Sequence, residues 1–332
     1  MMRVLITGAA GFIGFHLARH LLDEDAEVIG LDAHDPYYDV ALKESREALL
    51  RADPRFTAIR ARVEEPGLLT SLLGEHKPDL VVHLAAQAGV RHSIENPRAY
   101  LQSNIIGTFE LLEAARAHPP RHLLLASTSS VFGANTRMPY RETDKADCQM
   151  SFYAASKKST EAMAHSYAHL FGLPVTMFRF FTVYGPWGRP DMAPWLFTNA
   201  ILRGEPIKVF NHGNMRRDFT YVTDLARAIR LLMDAVPGTE PVGPEDSLSP
   251  VAPFRVVNIG NGAPVELVDF IAAIEKATGK QAIRQLLPMQ PGDVPATWAD
   301  TTLLRSLTGY APQTQVPDGM AAYVEWFRSY YR

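Results

Sequence analysis

Val4-Leu5-Ile6-Thr7-Gly8-Ala9-Ala10-Gly11-Phe12-Ile13-Gly14 decides how the rest of the chain is read. Val4–Ile6 is an apolar run long enough for a buried parallel strand and too short for a helix. Gly8, Gly11 and Gly14 follow, and Phe15 to Leu22 then carries apolar residues at helical spacing. Strand, glycine turn and helix in that order suit a dinucleotide pyrophosphate. Glycine lets the backbone approach the phosphates, and the helix N-terminus offers unpaired N–H groups. A glycine triplet alone is equally compatible with a tight strand–helix turn. Here Val28-Ile29-Gly30-Leu31 reads as a second strand ending in Asp32, about 20 residues on, where a carboxylate meets the adenosine ribose. That carboxylate would repel a 2′-phosphate, and Ala33 to Tyr38 offers no Arg or Lys to receive one. NAD is therefore expected rather than NADP.

The chain has 332 residues, enough for one large α/β domain or two smaller ones. Its net charge of −3 is not concentrated in any block, so nucleic acid is not an expected partner. The single Cys148 excludes an internal disulfide framework and suits a reducing cytoplasm. A strand at the very start and the lack of a long apolar run lead us to expect neither a signal peptide nor a membrane span.

Short apolar runs at Val4–Ile6, Val28–Leu31, Phe56–Ala61, Leu80–Leu84, His122–Ala126 and Val175–Phe180 alternate with helical patterns around 15–23, 66–74, 97–118 and 151–171. The alternation predicts an α/β fold, a doubly wound parallel sheet covered by helices on both faces. Pro237 to Pro253, rich in Pro, Gly, Ser and acids, reads as a surface excursion.

Three stretches fall at predicted strand ends, where open α/β sheets bind ligands. Small residues in Leu84-Ala85-Ala86 let a flat cofactor lie close to the backbone. Ser127, Thr128, Ser129 and Ser130 place hydroxyls in a row. Tyr153 and Lys157 are spaced i, i+4 and share a helix face. A phenol titrates near about 10, and a neighbouring ammonium favours its ionised form. His16/His20 and His165/His169 have the same spacing, but neither pair has a third ligand candidate nearby, so no metal site is expected.

Gly8-x-x-Gly11-x-x-Gly14, Thr128 and Tyr153-x-x-x-Lys157 together resemble the extended short-chain dehydrogenase/reductase superfamily over nearly the whole chain. His83 to Arg91, Ser93 to Pro97, Phe180 to Ala193 and Met289 to Val294 narrow the resemblance to nucleotide-sugar 4-epimerases that act on UDP-uronates. The resemblance implies a Rossmann-type domain over 1–181 and a smaller C-terminal α/β sugar-nucleotide domain over 182–332, some segments of which return to the first sheet. It implies that Tyr153 is the acid/base, that Lys157 holds the nicotinamide ribose and tunes Tyr153, and that Thr128 binds the reacting hydroxyl. Gly8, Gly11, Phe12, Ile13, Gly14, Asp32, Leu84, Ala85, Ala86 and Asn104, with Tyr153 and Lys157, would hold NAD. Arg217 would face the diphosphate, Asp293 the uridine ribose, and Arg91, Ser129, Ser130, Thr182 and Arg189 the sugar. A homodimer through the helices around 97–118 and 151–171 is also implied.

The implied reaction is NAD-dependent epimerisation at C4 of UDP-glucuronate to UDP-galacturonate through a 4-keto intermediate. Such an intermediate is a β-keto acid, which loses CO₂ when its C–CO₂ bond aligns with the carbonyl π system. The site must hold the carboxylate near the carbonyl plane. Related decarboxylases carry Glu three residues before the turn glycine, whereas Ser130 stands at that distance from Gly133. Epimerases of neutral UDP-hexoses differ most in the Thr182–Ala193 stretch, and a non-catalytic NAD-binding protein would not need Thr128, Tyr153 and Lys157 together. One position departs from the pattern. Arg62 stands where an Asp that contacts adenine is expected, and a guanidinium cannot accept a hydrogen bond, so Glu64 or Glu65 substitutes or the contact is lost.

Overall fold

The computed structural model describes residues 1–290 and 294–331. Strands β1 (Arg3–Thr7), β2 (Glu27–Asp32), β3 (Phe56–Arg60), β4 (Leu80–His83), β5 (His122–Thr128) and β6 (Val175–Phe180) are parallel and lie in the order β3-β2-β1-β4-β5-β6. A seventh strand, Phe254–Ile259, extends the sheet beside β6. The strand runs are apolar throughout because helices cover both faces. On one face, Phe15, Leu17 and Leu21 of the helix Phe12–Asp23 pack with Leu225 and Ile229 of Val222–Leu232. On the other, Leu69, Leu73, Leu111, Leu112, Ala164 and Ala168 form a second core. The order reverses between β1 and β4, which opens a crevice at the strands' C-terminal ends.

The helix Val40–Arg51 lies outside the expected set of elements, for a physical reason. Its buried positions are Leu42, Lys43, Arg46, Glu47 and Leu50, so two leucines and three charged side chains share the face it buries. It starts at Asp39, whose carboxylate accepts from the N–H of Ala41 at 2.9 Å. Residues 97–117 are helical as expected, with a wide π turn over Leu101–Ile106.

Beyond residue 181 the chain contributes to two bodies. A separate core joins Phe197, Ile201, Phe219, Phe270, Ile274, Met320, Val324 and Phe327, with the rings of Phe219 and Phe270 stacked 4.1 Å apart. Yet the helices Val222–Leu232 and Thr302–Thr308 and the strand Phe254–Ile259 belong to the large sheet and its cover. Pro237 to Pro253 contains no helix or strand, and it is anchored as well as exposed. Asp246 has an inaccessible side chain that takes Nε and one terminal nitrogen of buried Arg255 at 2.8 and 2.9 Å. Asp246→Ala leaves that guanidinium buried without its carboxylate and is expected to lower unfolding free energy by about 3 kcal/mol, read from the urea midpoint.

Candidate active site

The cleft is built first by close backbone approach. Gly8 has φ +75°, and a β-carbon on it would lie 2.8 Å from the nitrogen of Ala85. A β-carbon on Gly14 would lie 2.1 Å from the carbonyl oxygen of Gly8. Gly11 precedes the first helix with no side-chain cap, so the helix's first N–H groups face the cleft. Asp32 accepts from the N–H of Ala10 at 3.1 Å and of His34 at 2.8 Å, which fixes its carboxylate at the end of β2. These donors and this carboxylate fit the pyrophosphate and ribose of a dinucleotide. The fold adds one cation that the residues after Asp32 did not show: Lys43 Nζ stands 3.6 Å from Asp32.

The cleft encloses about 1540 Å³ and runs from this turn to residues of the second half of the chain such as Phe210, Arg217 and Leu267. Gly8, Gly11, Phe12, Ile13, Gly14, Asp32, Leu84, Ala85, Ala86, Thr128, Tyr153 and Lys157 all line it. So do Arg91, Ser129, Ser130, Thr182, Arg189 and Arg217. Asp293 lies outside the described residues. Asn104 is buried and does not line the cleft. Its amide accepts from the Gln87 N–H at 2.7 Å, donates to the Gln87 carbonyl at 3.1 Å and donates to Ser156 Oγ at 2.9 Å. It therefore acts through the loop after β4 and the helix Phe152–Phe171. The π turn that carries Asn104 is a common device at functional sites.

Thr128 ends β5, and Tyr153 lies in the first turn of Phe152–Phe171, which is capped by Ser151. The Thr128 hydroxyl bonds Ser130 Oγ at 3.3 Å and lies close enough to the Tyr153 phenol to lower it. Burial raises the Tyr153 phenol above its ordinary value, while Thr128 and the charge of Arg189 pull it down. Lys157 is itself lowered to about 8 by burial, opposed by Glu161. In the protein by itself, burial outweighs Thr128 and Arg189 and holds the phenol above its ordinary value, which leaves the help of a positive nicotinamide ring still to be supplied.

Below this trio lies a buried ion pair absent from the candidate residues. Glu161, one turn past Lys157, accepts from Ser127 Oγ at 2.7 Å, from Arg179 Nε and a terminal nitrogen at 2.9 Å each, and from Lys158 at 3.0 Å. It ties the end of β5, the end of β6 and the catalytic helix together. Its i+4 spacing from Lys157 was the available signal.

At the adenine end, Arg62 donates to Asp35 at 2.8 Å and to Glu64 at 3.2 Å, and its N–H donates to Glu65 at 3.1 Å. Arg62 therefore engages both candidate substitutes and joins the loop after β2 to the turn after β3. In the other half, the Arg217 guanidinium donates to the carbonyls of Arg216, Val294 and Pro295. Arg91 stacks 5.3 Å over the ring of Phe210. The histidine pairs serve other ends. His16 bonds the Pro186 carbonyl, His20 pairs with Glu24, and His165 and His169 bond Ser249 and the Val251 carbonyl.

The sequence profile of the NAD dependent epimerase/dehydratase family matches residues 4–244. The chain belongs to that family. It is 53% identical to a probable UDP-glucuronate 4-epimerase of Rhizobium meliloti (strain 1021), over 100% of this chain and 98% of that protein. Among solved structures it resembles a UDP-glucuronic acid 4-epimerase from Bacillus cereus in complex with UDP-glucuronic acid and NAD, with TM-score 0.88, 33% identity and 99% of each chain covered. It also resembles a UDP-glucose 4-epimerase from Thermotoga maritima with UDP-glucose, with TM-score 0.84, 29% identity and 100% of each chain covered. As in the rest of the family, the cofactor is NAD.

Burial raises the Glu161 carboxyl, but its bonds to Arg179 and Ser127 and the charges of Arg179 and Lys158 outweigh this and bring it from 4.5 to about 2. A carboxylate lowered in the folded state stabilises the fold above its unfolded value and loses that contribution as pH falls through the folded one. Glu161→Gln should cost about 3 kcal/mol at neutral pH by stranding Arg179. Its stability should also vary less than the parent's between about pH 4.5 and about 2. Urea unfolding across that range measures both.

Proposed function

We propose that this protein interconverts UDP-glucuronate and UDP-galacturonate by NAD-dependent epimerisation at C4. The observation that carries the reading is the Thr128–Tyr153 contact, buried in the same cleft as the glycine turn and within electrostatic reach of Arg189. Strong similarity to proteins named for that activity supports it.

Bound NAD supplies the acceptor for the C4 hydride and returns it to the other face of the 4-keto sugar. The chain's residues do the rest. Thr128 orients the C4 hydroxyl, Tyr153 takes its proton and gives it back, and Lys157 adds positive charge beneath the cofactor ribose. A positioned acid/base of this type contributes about 10²–10⁴ in rate. Ser129, Ser130, Thr182 and Arg189 are the groups proposed to hold the uronate carboxylate near the carbonyl plane, with Arg217 on the diphosphate, Arg91 on the sugar and Asp293 on the uridine ribose. Arg189 gives one two-donor edge to Asp191, so its other edge is the one proposed to meet the uronate carboxylate. Ser130 is the residue that separates this reading from a decarboxylase. Its N–H donates to Thr128 Oγ1 at 3.2 Å, which sets Ser130 next to the residue proposed to bind the C4 hydroxyl.

The assembly proposed is a homodimer in the cytoplasm. Exposed Leu101 and Phe109 on one helix and Phe152, Leu170 and Phe171 on the other support pairing through these two segments. Among the described residues, no helix is long and apolar enough to cross a membrane.

Incubation of the purified protein with UDP-glucuronate, without added NAD, should yield UDP-galacturonate by chromatography. Absence of that product with NAD both omitted and supplied would overturn the assignment. Tyr153→Phe should keep the nucleotide and lose about 10²–10⁴ in turnover. Near-parental turnover would remove Tyr153 from the mechanism. Ser130→Glu places a like charge against the uronate carboxylate, so epimerisation should fall strongly and some UDP-pentose with CO₂ should appear. Normal epimerisation with no pentose would show that the carboxylate does not sit at Ser130.

A further inference from the structure

Three loops meet at the mouth of the cleft, and one phenol ties them together. Tyr37 lies on the loop between β2 and the helix Val40–Arg51. Its hydroxyl donates to Asp191 Oδ2 at 3.0 Å, on the loop after Tyr184 in the other half of the chain. Asp191 in turn takes two donors from Arg189, Nε among them at 3.0 Å. On its far side, the Tyr37 ring packs 4.8 Å from that of His92, in the segment after β4. Gly89, also after β4, has φ +105°, and a β-carbon there would come within 2.8 Å of the Tyr37 hydroxyl.

The topology gives this contact its meaning. β2 and β4 flank β1 in the sheet. A side chain that starts after β2 and reaches Gly89 after β4 therefore crosses over the end of β1, where the glycine turn lies. The turn meets a nucleotide from the side of the sheet. Tyr37 lines the same cleft as that turn, and Asp191 ties it to the other half of the chain.

The chemistry needs such a closure. An ordinary dehydrogenase releases its nucleotide after one hydride transfer. An epimerase must keep the reduced nucleotide until the hydride returns to the same sugar, while the sugar nucleotide itself exchanges every turnover. We propose that Tyr37 is a positioning residue that retains NAD(H), its bond to Asp191 closing the cleft over the nucleotide. Burial, with the charge of Asp191, pushes the Tyr37 phenol up to about 12, so it remains a donor at any working pH.

This rests on the NAD-dependent reading above, and its test needs no sugar. The protein as purified is loaded with radiolabelled NAD and chased with excess unlabelled NAD, and the loss of bound label is timed. Tyr37→Phe keeps the ring against His92 and removes only the bond. It should release label about ten- to a hundredfold faster, the span that one hydrogen bond to a charged acceptor covers. Asp191→Ala should do the same, and the double variant should be no faster than the faster single one, because both remove one contact. Turnover of Tyr37→Phe should then depend on added NAD where the parent's does not. A purely structural role would lower the melting temperature and leave the exchange rate unmoved. If both single variants hold label as long as the parent, the inference is wrong while the epimerase reading stands. If the parent takes up no label and also releases no NAD(H) when denatured, the NAD-dependent reading fails as well.

Discussion

The carbonyl oxygen of Gly8 occupies the space that a β-carbon on residue 14 would need, 2.1 Å away. That one close approach brings the first helix down onto the end of β1 and aims its unpaired N–H groups into the crevice beside β4. Much of the cleft then follows from it. Gly8 leaves no room for a side chain against Ala85, so the loop after β4 is pressed to the same spot. Thr7 Oγ1 secures that loop by accepting from the Ala85 N–H at 3.2 Å, and it bonds buried His83 at 2.8 Å. His83 is lowered to about 3 by burial and by the charge of Lys157, so it stays neutral beneath the site.

A polar framework under the cleft transmits this order to the reacting groups. Glu161 and Arg179 join two strand ends to the helix of Tyr153. Asn104 joins the loop after β4 to that same helix through Ser156. Arg46 is fully buried and donates to the carbonyl of Ala10 in the glycine turn, to Tyr38, and to the carbonyl of Trp187 on the loop that carries Arg189. Each member spans elements distant in sequence and is held by carbonyls, carboxylates or hydroxyls, with Arg46 Nε alone among these groups left without a partner. Losing one partner strands the others in a dry interior, which is why such groups specify position sharply.

That framework also explains what could be read in advance. β1 to β6 were legible because strands buried on both faces are plain apolar runs. The glycine turn, Asp32 and the i, i+4 pair Tyr153/Lys157 stand out by local spacing, whereas Thr128 is singled out from its neighbouring hydroxyls only by the family resemblance. Val40–Arg51 was not, since charged Lys43, Arg46 and Glu47 interrupt Leu42 and Leu50 on its buried face. Lys43 beside Asp32 and Asp191 beside Tyr37 are products of tertiary folding and leave no trace in local spacing. Arg62 showed as a departure, but its pairing with Asp35 across two loops did not.

Tyr153 shows how burial governs the chemistry itself. Withdrawal from water disfavours the phenolate, and it equally disfavours the ammonium of Lys157. The two groups therefore sit in a site that penalises both charges the reaction needs. Thr128 and Arg189 offset part of the penalty on the phenol, and Glu161 part of that on the lysine. The positive ring of the oxidised nucleotide supplies the charge that is still lacking. If Tyr153 is the base, a bound nicotinamide cation would favour its phenolate, and proton removal from the sugar would be favoured only where a hydride acceptor is also present. A cleft that released its nucleotide would lose its base in the same event, and so retention of NAD and ionisation of Tyr153 form a single electrostatic problem.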